Sequence, residues 1–280
     1  MKKMVKVAAL AAMVMSVALT GCNGKKEEVS PSNTEASAKS KSPMKAPKIP
    51  SYLYRIKYQG MIWLGAKDKD RLPADLVIPE GVTGILKDAF LDCTSLTSVT
   101  LADTVQRIGT GAFSGCTSLA SVTIPEGVTI IYDEAFRNCT SLARVAIPSS
   151  VTKIDNYAFK DCASLAYVTI PEGVQEIGTG AFSGCTSLAS VAIPEGVTEI
   201  GYDLFKDCTS LASVTIPNSV KAIHDTAFLS CPIKEFKYAG TKEQWEEISK
   251  GSALSTEGGD FVVQCTDDIT EDAVVSSATE

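Results

Sequence analysis

In Leu119-Ala120-Ser121-Val122-Thr123-Ile124-Pro125, apolar side chains alternate with small polar ones until a proline stops the run. Period-two alternation predicts a short half-buried strand, Val122 and Ile124 inward and Ser121 and Thr123 outward, with a turn at the Pro-Glu-Gly that follows. Val128, Ile131, Ala135, Phe136 and Cys139 then supply apolar positions for a segment running back along the other side of a coil. The whole arrangement recurs with a step of 23 residues. Cys93, Cys116, Cys139, Cys162, Cys185, Cys208 and Cys231 keep that step, as do Phe90, Phe113, Phe136, Phe159, Phe182, Phe205 and Phe228. Leu96 to Leu211, Val99 to Val214, Val82 to Val220 and Ile85 to Ile223 stay in the same register, and GTGAFSGCTSLAS occurs at both 109–121 and 178–190. A fixed period of this length predicts stacked coils. The few apolar side chains of one coil cannot offset the ordering of its 23 residues until neighbouring coils cover both of its open faces.

The expected fold is therefore a repeat solenoid, mainly β, with short strands in a parallel sheet and irregular or short helical return segments. It occupies residues 76–238 as about seven repeats. Both ends of such a body need caps. At 54–64, YRIKYQGMIWL reads as a strand or hairpin with Trp63 over the first coil, within an N-terminal cap at 51–75. At the other end, the unit at Cys231-Pro232-Ile233 is one residue short and leads into a C-terminal cap at 239–265. There, Thr241 and Gln244 form a capping-box pattern that opens a short helix, Trp245 serves as a lid, and Phe261 to Cys265 add a closing strand. Residues 266–280 read as an acidic, disordered tail.

Charge and composition narrow the function. The chain has 280 residues, 26 Lys and Arg against 33 Asp and Glu, and a single histidine, His224. The acidic balance and the lack of a basic run argue against nucleic acid, and one histidine removes most triads and multi-histidine metal sites. No phosphate-binding loop or calcium loop is recognisable, so neither catalysis nor a cofactor is expected. His224 reads as a surface position, and Asp161 and Asp207 as turn residues sharing a column with Gly115 and Gly184. The seven in-register cysteines form a column of parallel side chains, which suits buried thiols better than disulfides or a tetrahedral metal site.

The N-terminus carries an address. Residues 1–21 combine Lys2, Lys3 and Lys6 with an uncharged apolar run from Val7 to Leu19, which reads as a signal peptide too short to span a bilayer. Leu19-Thr20-Gly21-Cys22 resembles the bacterial lipobox, which implies acylation of Cys22 as a membrane anchor. Without residues 1–21 the chain keeps 23 cationic side chains against 33 acidic ones, a net charge of −10. Residues 22–50, rich in Lys, Ser and Pro, read as the lipidated cysteine followed by a flexible tether. Lys26-Glu27-Glu28 resembles the export tag of Bacteroidetes surface lipoproteins, or is simply part of a charged tether.

The unit LxSVTIPEGVTxIGxxAFxGCTS resembles the BspA-like leucine-rich repeat of bacterial surface proteins, the type also described from Treponema pallidum, and the likeness covers residues 76–238. It implies a right-handed leucine-rich-repeat solenoid of 23-residue coils whose strands line a concave face. It also implies occurrence on the cell surface, and together with the lipobox at Cys22 and the lack of catalytic motifs the expectation is a lipid-anchored, non-catalytic protein of the bacterial envelope, exposed at the outer membrane or cell surface. Its partners would be a protein or polysaccharide, such as host extracellular matrix or other bacteria. Glycan binding or envelope scaffolding is the alternative. Positions departing from their own column indicate where such a partner would bind. Among Ser98, Ser121, Arg144, Tyr167, Ser190 and Ser213, only Arg144 and Tyr167 are large, and both types are favoured in binding hot spots. Tyr132, Tyr157 and Tyr202 mark a second candidate patch.

Overall fold

The computed structural model describes residues 48–58, 60–251 and 261–268. The segments read from the sequence as a signal peptide, a lipidated Cys22, nearly all of the tether and the tail beyond residue 268 lie outside the described residues. Among those described, no helix is long and apolar enough to cross a membrane.

The chain opens with an antiparallel hairpin, β1 (Leu53–Tyr58) and β2 (Met61–Ala66). Each following coil contributes a longer odd-numbered strand and a two-residue even-numbered one. The odd strands are β3 (Asp75–Ile78), β5 (Ser98–Leu101), β7 (Ser121–Thr123), β9 (Arg144–Ala146), β11 (Tyr167–Thr169), β13 (Ser190–Ala192), β15 (Ser213–Ile216) and β17 (Glu235–Tyr238). The even ones are β4 (Gly84–Ile85), β6 (Arg107–Ile108), β8 (Ile130–Ile131), β10 (Lys153–Ile154), β12 (Glu176–Ile177), β14 (Glu199–Ile200) and β16 (Ala222–Ile223). From β3 to β11 and from β13 to β15 in one series, and from β4 to β12 and from β14 to β16 in the other, each strand pairs parallel with the next coil in the 23-residue register, as in Val122 with Val145 and Ile131 with Ile154. The expected solenoid is thus formed, and the even-numbered ladder is a second sheet that the alternation did not predict. Two residues are too few to alternate.

The return segments contain no helix. They are chains of three-residue steps, such as Cys116 N–H to Phe113 C=O at 3.2 Å and Leu119 N–H to Cys116 C=O at 3.0 Å. Two residues in most coils turn with positive φ. One column is Asp92, Gly115, Asn138, Asp161, Gly184, Asp207 and Ser230, every member between 57° and 72°. This explains its Asp, Gly, Asn and Ser content, since those residues enter the left-handed region at least cost.

Inside, every column stacks on itself. The seven phenylalanines from Phe90 to Phe228 are parallel to within 5–9°, with centroids 5.1–5.7 Å apart. Such offset stacking contributes about 0.5–1.5 kcal/mol per pair beyond burial. The cysteines are free and buried. From Cys116 to Cys231, each thiol donates to the phenylalanine carbonyl 26 residues earlier, at 2.9–3.4 Å. A small apolar side chain with a weak donor fits this position, where an alanine would leave the carbonyl without that hydrogen bond. Burial pushes the thiols up, Cys93 to about 11 and Cys139 and Cys185 to about 12.

The caps close the column. Trp63 lies on Gly84, where a Cβ would come within 2.6 Å of its ring, and β2 pairs with β4. At the other end, Thr241 and Gln244 make a reciprocal capping box on the one helix described, α1 (Lys242–Glu247). Its Trp245 packs on Phe236 and Tyr238 at 5.7 and 5.4 Å. Beyond α1, β18 (Ser249–Lys250) joins β16, and β19 (Val262–Gln264) joins β17. Thr266–Asp268, read from the sequence as the start of a disordered tail, instead forms a helical turn. Asp268 holds it by accepting from Cys265 N–H at 2.9 Å and pairing with Lys242.

Both ladders break at one junction. β11 does not pair with β13, nor β12 with β14. In preceding coils Ala166 N–H reaches Ala143 C=O and Gln175 N–H reaches Thr152 C=O, but the equivalent bonds from Ala189 and Thr198 are missing. The gap is visible in space: a Cβ on Gly178 would lie 2.5 Å from the previous backbone, whereas on Gly201 its nearest neighbour would be 4.0 Å away. The turn side stays bonded, with Gly184 N–H to Lys206 C=O at 2.7 Å. The coil after the break carries Leu204, fully buried in a column otherwise made of Ala89, Ala112, Ala135, Ala158, Ala181 and Ala227. Leu204 adds three carbons to the packed alanine column at this junction, a volume its neighbours there must accommodate.

Two outcomes follow from this packing. In Leu204→Ala the junction closes, and hydrogen exchange at the Ala189 and Thr198 amides slows by about tenfold or more; unchanged exchange would assign the break to another cause. The thiols set the alkaline limit. Because their folded pKa values are raised, the stability they contribute is complete below the unfolded value near 9 and declines as pH rises toward 11–12. Each thiol costs about 1.4 kcal/mol per pH unit in that window, readable as a falling urea midpoint that a Cys139→Ala variant shows less steeply.

Candidate functional site

From β5 to β15 the outward positions of the odd strands form a face of small side chains, Arg144 and Tyr167 excepted. Ser98, Ser121, Ser190 and Ser213 make one row, and Thr100, Thr123, Ala146, Thr169, Ala192 and Thr215 the next. Arg144 and Tyr167 rise from this face as direct cross-strand partners on β9 and β11. Tyr167 is 64% exposed, and its hydroxyl oxygen accepts from Thr169 Oγ1 at 3.0 Å. The Arg144 guanidinium is exposed and makes no hydrogen bond or ion pair among the described residues. The pair chosen from the sequence is therefore contiguous in space. The structure adds that Tyr167 stands on the last strand before the ladder break, next to β13, with which β11 does not pair.

The second group differs from the first in its contacts. Among the described residues, no ring contact joins Tyr132, Tyr157 and Tyr202 to one another. Tyr132 is half-buried. Tyr202, 53% exposed, instead meets His224, ring centroids 4.4 Å apart and tilted by 39°. His224 Nε2 lies 3.5 Å from Glu199 Oε2. His224, read from the sequence as a plain surface position, is thus part of a Tyr202–His224–Glu199 cluster. The signal was present in the spacing, because residues 22 to 25 apart face each other across adjacent coils. Tyr157 is different again. It has φ +57° in a column whose other left-handed members are Asp88, Gly111, Glu134, Gly180 and Asp203. Its ring covers Gly180, where a Cβ would come within 2.7 Å, and Lys160 Nζ sits 5.4 Å from the ring centroid.

These groups suit recognition better than catalysis. The thiols are buried, desolvation raises those of Cys93, Cys139 and Cys185, and His224 faces a tyrosine ring and an exposed carboxylate rather than a thiol or a serine hydroxyl among the described residues. Cys265, Asp267 and Asp268 lie close enough to share a cation. Their carboxylates already serve Lys242 and the backbone N–H groups of Lys242 and Cys265.

Comparison with known proteins agrees with this geometry. The family model described as "BspA type Leucine rich repeat region" matches in six copies across residues 73–189 and 129–251. The crystal structure of a T. pallidum leucine-rich repeat protein is similar at 30% identity and a TM-score of 0.56, covering 69% of this chain and 86% of that one. A leucine-rich repeat protein from Bacteroides ovatus shares the fold at 20% identity and a TM-score of 0.55, covering 80% and 77% of the two chains. No curated protein matches the sequence.

The strained tyrosine provides a check on the site. A left-handed conformation costs a non-glycine residue about 1–2 kcal/mol, so Tyr157→Gly is expected to raise unfolding free energy by about 1 kcal/mol after loss of its ring contacts. A lower denaturation midpoint would show instead that the ring's packing on Gly180 outweighs the strain.

Proposed function

Because this chain belongs to the BspA-type leucine-rich repeat family, we propose that it is a lipid-anchored bacterial surface protein that binds a host or bacterial protein through its strand face, without catalysis. The observation that carries the reading is the Arg144–Tyr167 pair. A free guanidinium and an exposed phenol stand side by side on a surface whose other outward positions, from β5 to β15, are Ser, Thr and Ala. Flat faces of small side chains let a partner approach closely, and Arg and Tyr supply the anchors on which affinity concentrates. Anchoring through Cys22 and the tether up to residue 50 would hold this face clear of the lipid, at roughly 30 Å for a random coil of that length. Leucine-rich solenoids are typically scaffolds for recognition, and the lack of an activated nucleophile in the described sites fits that role.

The test is adhesion. Cells carrying the full chain should bind at least one of a panel of immobilised extracellular-matrix proteins or partner bacteria, and the Arg144→Ala/Tyr167→Ala variant should weaken that binding by about thirtyfold, the effect of losing one hot spot. Tyr202→Ala, on another part of the coil, should leave it unchanged. Cys22→Ala should abolish fatty-acid labelling of the protein. Silence across the panel, or equal binding by the double variant, would overturn the reading.

A further inference from the structure

The core of the solenoid is capped at both ends, but the series of odd strands is not. β3 is the first of these strands and β19 the last, at the outer ends of the two sheets into which the series divides, and among the described residues neither has a partner on its outer side. Backbone groups alternate sides along a parallel strand, and the inward bond of Val262 to Lys234 leaves N–H and C=O of Val263 pointing out. By the same alternation, Asp75 and Val77 present theirs at the other end, because Ser98 N–H donates to Ala74 C=O on the inner side. Each open strand also exposes a valine, Val77 and Val262, both at 60%. Exposed valines on unpaired edges are what native sheets ordinarily avoid.

The two ends are opposite in charge. Residues 48–78 hold six Lys and Arg against three Asp, a net of +3. Residues 235–251 with 261–268 hold three Lys against six Asp and Glu, a net of −3. Arg55 and Lys57 on β1 and Glu246 and Glu247 on α1 are exposed members of the two sets. Both edge strands run in the same direction as the sheet, so a second copy placed end to end continues the ladder without reversing it.

We propose that the occupant of these edges is a second copy of this chain, β19 of one molecule pairing in parallel with β3 of the next. The contact joins two different surfaces of the same molecule, so it is heterologous and does not close on itself. The product is an open chain of solenoids whose strand faces run on from copy to copy, repeating the Arg144–Tyr167 pair along its length. Few hydrogen bonds form at each joint, because the edge strands are three and four residues long. Each joint is therefore weak, salt-sensitive and dependent on local concentration. Opposite charge sets the polarity: like ends repel, and basic meets acidic.

The experiment uses the full chain with a benzophenone amino acid at Val77, an exposed position whose replacement leaves the core untouched. Irradiation should give a ladder of dimers, trimers and longer species on a denaturing gel, with crosslinks mapping to residues 261–265 of another copy. The yield should fall about fivefold between 50 and 500 mM salt. Arg55→Glu/Lys57→Glu and Glu246→Lys/Glu247→Lys should each lose the ladder alone, and an equimolar mixture should recover it, because each reversed end then meets its complement. A product stopping at a dimer crosslinked 77 to 77, crosslinks only to residues 1–47 or 269–280 of the same chain, or no recovery in the mixture would each overturn the proposal.

Discussion

The buried side chains of the coils pack against their own equivalents in the coils above and below, and that single constraint dictates most of the repeat sequence. A phenylalanine in one coil is held by phenylalanines 23 residues away on either side, so a change at one position is felt in three coils. Strand pairing imposes the same step on the backbone, because parallel neighbours must keep register for both ladders to bond. The cysteine column shows both demands at once. Its thiol must fit between equivalent thiols and must also donate to a phenylalanine carbonyl of the preceding coil, 26 residues earlier. Few side chains are small, apolar and donors together.

Departures from a column are therefore informative, and the structure separates two kinds. Inward departures act on the packing. Leu204 in an alanine column coincides with the one place where both sheets lose pairing, while the turn side, built from backbone bonds over left-handed residues, holds the coils together. Outward departures act on the surface. Arg144 and Tyr167 interrupt a row of serines without disturbing the strands beneath them, since Val145 and Val168 keep their register and burial. The two departures meet at β11, which carries Tyr167 and borders the break.

The ends show how a column can be stopped without a large second layer. An indole ring closes each one: Trp63 against the bare backbone of Gly84, and Trp245 over Phe236 and Tyr238. Each cap covers the core while leaving the edge of the long sheet open, and the sign of charge differs between them. A solenoid of this kind has polarity, and its two ends are distinct surfaces.

The sequence by itself determined the solenoid, its step, the identity of the core and the inward and outward sense of the longer strands, because repetition displays each column directly. It also singled out Arg144 and Tyr167, since strand partners are one whole step apart. Only the tertiary structure decided what depends on spacing other than that step. The two-residue ladder, the thiol-to-carbonyl bonds and the contact of Tyr202 with His224 arise where segments of one coil lie beside different segments of the next. Pattern along a chain fixes which residues share a column. How far a coil opens, and which columns touch across it, is set by the summed volumes inside and the turns that close it, and those forces act only once the coils are stacked.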